Sequence, residues 1–422
     1  MKCFKVIIFS ALLFGTVVLN IHIANAEIVQ GDFGGSPWLE VNGDMRLTPA
    51  YPDTVARYDE YIYKQHTRDF DILKLTGEFP RARHFSFNIY GVEGLPVLAM
   101  ADYDIEPDAG SINPFRVGED RNADKRSFTI WVVKEGIEAP VGSTNVIMVP
   151  ADIENNVLMT RVYRADQDQD NSYGGTPPAI ESLKADLTSG QTPESMLLHL
   201  DEILPELGGM FFNADLAEFW GNSQQLYGDD IVFHHFGLLA GLFPTLHNRY
   251  ILAPITQNYA DKVAVLTFSP PTFEDTYTGN DFEGGKDVRY WSVCVGDWAT
   301  SGTTDCISDD EVVENPDGSV TICIAPFYLK SAIENAGLNY MRWGALVKPF
   351  LIHRHMLADE SFAAAIGNVP QIFHPPAEDM QEYYDENMAV NFMGDYCPTG
   401  QVYSIWGFKD WLRNRQSYGN PK

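Results

Sequence analysis

The chain has 422 residues, 45% of them hydrophobic, with 58 acidic side chains against 29 basic ones and a formal net charge of −29. That length is enough for two or three domains with sizeable cores. So acidic a surface repels the phosphates of nucleic acid and the headgroups of anionic lipid, which excludes both as expected partners.

Residues 1–26 read as a secretory signal. Lys2 and Lys5 precede an apolar run from Val6 to Val18, and Ala24-Asn25-Ala26 gives a small-x-small cleavage pattern before Glu27. No later apolar run approaches the ~18 residues that span a bilayer, so no transmembrane segment is expected after signal removal. The expected location is periplasmic or secreted. Residues 27–58, with Trp38, Tyr51 and Tyr58, read as an extended N-terminal arm.

Residues 59–183 read as a first β unit. Ile72 to Thr76, Phe85 to Tyr90, Val97 to Ala101, Phe128 to Val133, Val146 to Val149 and Val157 to Tyr163 are short β-branched or aromatic runs broken by turn residues. Residues 184–247 read as a helical insert. Thr192-Pro193-Glu194 is a helix start, Met196 to Leu204 follow at helical spacing, and further helical stretches are expected at Ala214 to Leu226 and Ile231 to Phe243. Strands return in a second β unit over 248–373, including Val263 to Phe268, Arg289 to Val295 and Val320 to Ala325. An aromatic tail follows over 374–422.

The two β units align as a repeat. Tyr61-Ile62 matches Tyr250-Ile251, and Leu75-Thr76 matches Leu266-Thr267. Arg83-His84-Phe85-Ser86 matches Arg289-Tyr290-Trp291-Ser292 after an insertion holding Thr276 to Gly285. Asp102 matches Asp305, Ser127 to Ile130 matches Ser319 to Ile322, and Arg161 matches Arg354. The expected fold is therefore mainly β with a helical insert, built from two pseudo-equivalent β-sandwich-like repeats.

Four cysteines follow the signal, Cys294, Cys306, Cys323 and Cys397, an even number that suits two disulfides in an exported chain. Cys294 to Cys323 is one open pairing, and a bridge from Cys306 is another. Arg83, Arg289 and Arg354 are candidates to clamp an anionic group through their planar forks. Structural ion pairs within each repeat are the alternative. Asp102 or Asp305 is a candidate general base and His355 a candidate general acid. His353 and His355 would share one face of a strand, a spacing that also suits a metal. Asp166, Asp168 and Asp170 alternate in a polar loop, so calcium or another divalent cation is a candidate cofactor there. Elbow, zinc-helix, P-loop and dinucleotide motifs are absent.

The blocks Arg83-His84-Phe85-Ser86 with Asp102-Tyr103-Asp104-Ile105, and Arg289-Tyr290-Trp291-Ser292 with Asp305-Cys306, resemble those of exported bacterial proteins of unassigned function. Their paired β-rich domains carry an Arg-aromatic-aromatic-Ser strand followed by Asp-x-x-Ile. The resemblance implies an exported protein with paired β domains and no assigned reaction. From the residues themselves, an exported hydrolase or lyase is expected, acting on a small polar, anionic or saccharide-like ligand at the cleft between the repeats. A non-catalytic binding or envelope-associated protein is the alternative.

Overall fold

The computed structural model describes residues 38–42, 50–62, 72–91, 94–150, 155–183, 226–236, 243–255, 259–299, 302–346, 348–372 and 380–418. The signal and most of the expected helical insert lie outside them. The described chain is mainly β, as the alternation of apolar and turn residues predicts.

The first unit is two sheets. One runs β1 (Leu39–Asn42), β2 (Ala56–Ile62), β8 (Asn155–Ala165), β4 (Ala82–Gly91), β5 (Pro96–Ala101), in that spatial order. The other runs β7 (Val146–Val149), β6 (Ser127–Lys134), β3 (Ile72–Glu78), β9 (Ala179–Leu183). The inward residues of both, among them Phe85, Phe87, Leu158, Leu75 and Ile130, form one buried core. Removing that apolar surface from water is what holds the two sheets face to face.

The second unit repeats the strand order. One sheet runs β12 (Asn248–Pro254), β18 (Pro349–Met356), β14 (Tyr290–Asp297), β15 (Gly302–Ser308). The other runs β17 (Asn339–Arg342), β16 (Val320–Ala325), β13 (Lys262–Phe268), β20 (Thr399–Ser404), β10 (Asp230–Ile231). Even the sense of pairing matches, since β6–β7 and β16–β17 are both parallel while the other pairs in these four sheets are antiparallel. Trp291, Val293, Leu266 and Ile322 lie in its core.

The registers fix the correspondence residue by residue. Leu75 pairs with Ile130 and Leu266 with Ile322. Ser86 pairs with Arg161 and Ser292 with Arg354. Tyr58, not Tyr61, faces Arg161 as Tyr250 faces Arg354. The sequence alignment is thus three residues out at its start.

Two further expectations change. Residues 230–231 and 235–236 pair as short strands, β10 and β11 (His235–Phe236), and not as a helix. The C-terminal segment, read from sequence only as an aromatic tail, also supplies a strand. Its β20 inserts between β10 and β13 and so completes the second unit's outer sheet. Among the described residues no helix is long and apolar enough to cross a membrane.

Candidate functional site at the seam between the units

Strand alternation gives β4, β8, β14 and β18 two faces each. One face fills its own unit's core. The other meets the partner unit, where Tyr58, Tyr90, Tyr163, Tyr290 and Met356 pack together across a buried seam. Buried polar side chains gather there too, among them Asp53, His84, Ser86, Asn88, Arg161, Thr245, Ser292 and Arg354.

Two ion pairs cross it reciprocally. Arg83 of β4 is paired with Asp309, which follows β15, and lies 3.3 Å from Asp310. Arg289, which precedes β14, is 3.4 Å from Asp102, which follows β5. Asp102 and Asp309 are true counterparts. Asp102 accepts from the N–H of Phe85 (2.8 Å) and Tyr103 (2.7 Å), and Asp309 accepts from Trp291 (3.0 Å) and Asp310 (2.8 Å). Asp305, aligned with Asp102 from sequence, instead accepts from the N–H of Arg342 on β17. The arginines therefore brace the two units to one another, not each repeat internally. Burial pushes the Asp102 carboxyl up, but Arg289, His84 and the Phe85 N–H together hold it below the usual carboxylate value.

A second reciprocal contact is made by the segments leading into β2 and β12. Tyr51 O accepts from Arg354 Nη2 at 2.7 Å, and Phe243 O accepts from Arg161 Nη2. Both carbonyl residues hold positive φ, 50° and 45°. Arg164 and Leu357 are counterparts too, at φ 51° and 45°, each donating its N–H to its own unit's lead-in, to Val55 O and His247 O. Such backbone is costly for residues other than glycine and persists where surrounding contacts over-determine it.

The lead-ins, Tyr51-Pro52-Asp53-Thr54-Val55 and Phe243-Pro244-Thr245-Leu246-His247, share the proline and differ at the turn residue that follows it. Asp53 and Thr245 occupy the same turn, because Ala56 N–H donates to Asp53 O as Asn248 N–H donates to Thr245 O, and Val55 N–H donates to Asp53 Oδ1 as His247 N–H donates to Thr245 Oγ1. Asp53 Oδ2 accepts from Tyr290 OH (2.8 Å) and Ser292 Oγ (2.6 Å) and lies 3.4 Å from Arg354 Nη1. Thr245 Oγ1 donates to Asn88 Oδ1 instead. Arg161 consequently contacts Tyr90 OH at 2.7 Å, the Phe243 carbonyl and the ring faces of Tyr58 and Tyr90. Among the described residues it makes no ion pair.

Beside Arg161 stands a histidine with a carboxylate behind it. His84 Nδ1 is 2.9 Å from Asp102 Oδ2, close but not aligned as a regular hydrogen bond, and its buried Nε2 has no hydrogen-bond partner among the described residues. The His247 ring is 5.3 Å away, centroid to centroid. Burial, then repulsion by His84, lowers the His247 pKa to about 3, so it is neutral near pH 7. Half-buried Glu60, on the same face of β2 as Tyr58, is raised to about 7 by burial, while Arg161 pulls it down.

The expected catalytic grouping does not assemble. His355 and His353 do share a face of β18, but it is the core face, opposite Arg354, against Trp291, Phe268 and Phe362. The contacts suit two neutral rings. Ile366 N–H donates to His355 Nδ1, one Nε2 donates to the other across 3.1 Å, and His353 Nδ1 donates to Ser292 O. Burial lowers both pKa values, that of His353 to about 3.

Nor are the three carboxylates of the acidic loop drawn together among the described residues. Asp166 is buried in an ion pair with Arg121, while Asp168 and Asp170 are exposed and Asp168 accepts from Gln169. Of the cysteines, Cys294 and Cys306 face each other across β14 and β15 and form a disulfide. Cys323 and Cys397 are free and buried. Cys323 lies on the outer face of β16 with Leu329 and Phe408, turned away from Cys294, so neither the Cys294–Cys323 bridge nor a second disulfide forms. Asp53, Cys294 and Cys306 converge closely enough to suggest a metal, but the disulfide takes both sulfurs.

The residues that sequence reasoning left aside are His84, Thr245 and Asp53, while Arg161 was read only as the counterpart of Arg354. His84 sits inside the quoted Arg-aromatic motif, and its difference from Tyr290 was the available signal.

No family model and no curated protein matches the chain. The crystal structure of an uncharacterised protein from Burkholderia cenocepacia is similar, with a TM-score of 0.52 at 14% identity over 94% of this chain and 88% of that one. A crystal structure from Vibrio parahaemolyticus gives 0.41 at 10% identity over 94% and 98%. At such identities the first likeness speaks to fold alone, and the second superposition is too loose to add to it.

Proposed function

We propose that the chain is an exported acid–base enzyme, a hydrolase or lyase, that takes a small anionic substrate at the seam between its two units. The observation that supports this is the placement of His84, with Asp102 at its Nδ1 and a buried, unpartnered Nε2 turned away from that carboxylate. An imidazole backed by a carboxylate is a standard general base, and such contacts tighten into alignment when substrate binds. Arg161 would hold the anionic group, and the flanking tyrosines would supply donors. We also propose that the two units descend from one duplicated segment, a reading that the matched registers and turns support.

One observation favours a second reading, a non-catalytic periplasmic or extracellular binding protein. Arg83, Arg289 and Arg354 are already held by protein carboxylates, so much of the polar seam serves as joinery.

The test is a screen of the purified chain against esters, amides, glycosides and hydroxy acids bearing one anionic group. His84→Asn should lower kcat on any substrate found by about 100-fold or more, the usual scale of a lost general base. Unchanged turnover in a folded His84→Asn protein would contradict the enzyme reading.

A further inference from the structure

We propose that Arg161 and Ser86 bind the carboxylate of a small organic ligand beside His84, in the position that the Asp53 side chain takes beside Arg354 in the matched half of the seam. The proposal deepens the reading of the seam as the functional site and rests on it.

The protein itself displays the recognition. Asp53 Oδ2 is met by Tyr290 OH, Ser292 Oγ and Arg354 Nη1. The strand registers put Ser86 with Arg161 as they put Ser292 with Arg354, and His84 stands two residues before Ser86 as Tyr290 stands two before Ser292. All three recognising positions thus carry polar side chains in the first unit too. What differs is the residue they recognise, because Thr245 replaces Asp53 and its hydroxyl goes to Asn88.

The donors around Arg161 are uncommitted in the ways that matter. Ser86 Oγ accepts from Asn88 Nδ2 at 3.1 Å, which leaves its own proton to donate. His84 Nε2, beside them, has no partner among the described residues and stays free to act as the base. Arg161 is 5% exposed, yet no carboxylate oxygen of a described residue lies within 4.0 Å of it. A buried guanidinium without an ion-pair partner is costly. With Nε and Nη2 given to Tyr90 OH and the Phe243 carbonyl, Nη1 is left for a ligand oxygen, the atom through which Arg354 meets Asp53. A carboxylate fits better than phosphate because one negative charge neutralises one guanidinium, whereas a chain of net charge −29 repels a dianion.

Isothermal titration with sodium acetate, sodium succinate and sodium phosphate tests this on the unsubstituted chain and on two variants. The unsubstituted chain and Thr245→Val should bind a carboxylate with equal affinity and ignore phosphate. Thr245→Asp should bind it at least about tenfold more weakly, because a tethered carboxylate competes at an effective concentration in the millimolar range or above. Equal carboxylate binding by folded Thr245→Asp, or binding of phosphate alone, overturns the proposal.

Should Thr245→Asp fail to fold, crystals of the unsubstituted chain grown with 3-bromopropionate decide it. An anomalous bromine peak in the seam beside Arg161 is expected, and its absence there contradicts the assignment. The two readings fail separately. Carboxylate binding abolished by Thr245→Asp, with turnover indifferent to His84→Asn, leaves this site and removes the enzyme. Turnover that needs His84 but persists in Thr245→Asp does the reverse.

Discussion

At the scale of single residues, the seam turns on one substitution inside a shared turn. Asp53 neutralises Arg354, and Thr245 leaves Arg161 with phenols and a carbonyl. Glu60 then governs how that charge depends on pH. The charged groups that act on it are Arg161 on β8 and Asp59 on β2. Its carboxyl is raised to about 7, so it is neutral below that pH and negative above it. An ionised Glu60 competes for Arg161 and repels an incoming anion. Carboxylate affinity is therefore expected to fall as pH rises through 7, by up to about tenfold over a pH unit, and Glu60→Gln should flatten the profile. Titration calorimetry across that range checks it, and a pH dependence that survives in Glu60→Gln would assign the effect elsewhere. Little of this was legible in the sequence. Arg161 and Arg354 are identical residues there, and only the lead-in segments that cross the seam make them different.

At the scale of elements, the strands were legible and their partners were not. Apolar alternation placed β3, β4, β6 and β14 to within a few residues, because each has one face in a core and period two is hard to disguise. It could not place β20, which lies well over a hundred residues from the β13 it pairs with. Nor could it distinguish Asp305 from Asp309, since the four-residue spacing error is visible only in the β14–β15 register. His353 and His355 were correctly put on one strand face, but alternation alone does not say which face looks inward. The insertion in the second unit shows the limit best. Phe282 from that segment is buried in the first unit's core and stacks against Arg289 and Arg121. Phe282→Ala should thus destabilise the first unit by about 3–5 kcal/mol, the usual cost of emptying a buried phenylalanine site. Urea unfolding followed by hydrogen exchange at β4 and β8 amides measures it. A loss below about 1 kcal/mol would mean that the insertion only rests on the surface.

At the scale of the whole molecule, two units of the same strand order face each other and exchange contacts. Arg83 reaches Asp309 as Arg289 reaches Asp102, and Tyr51 caps Arg354 as Phe243 caps Arg161. Breaking one partner of a buried pair is expensive, so these exchanges make the seam a joint as well as a site. A symmetric joint would neutralise both inner arginines. This one neutralises Arg354 and not Arg161, and that asymmetry gives the protein its candidate binding locus. The most direct test is to remove the asymmetry from the other side and count sites. Titration of acetate into folded Asp53→Thr should show two carboxylates bound per chain, the second beside Arg354, where the unsubstituted protein binds one. A stoichiometry that stays at one in Asp53→Thr would contradict the account.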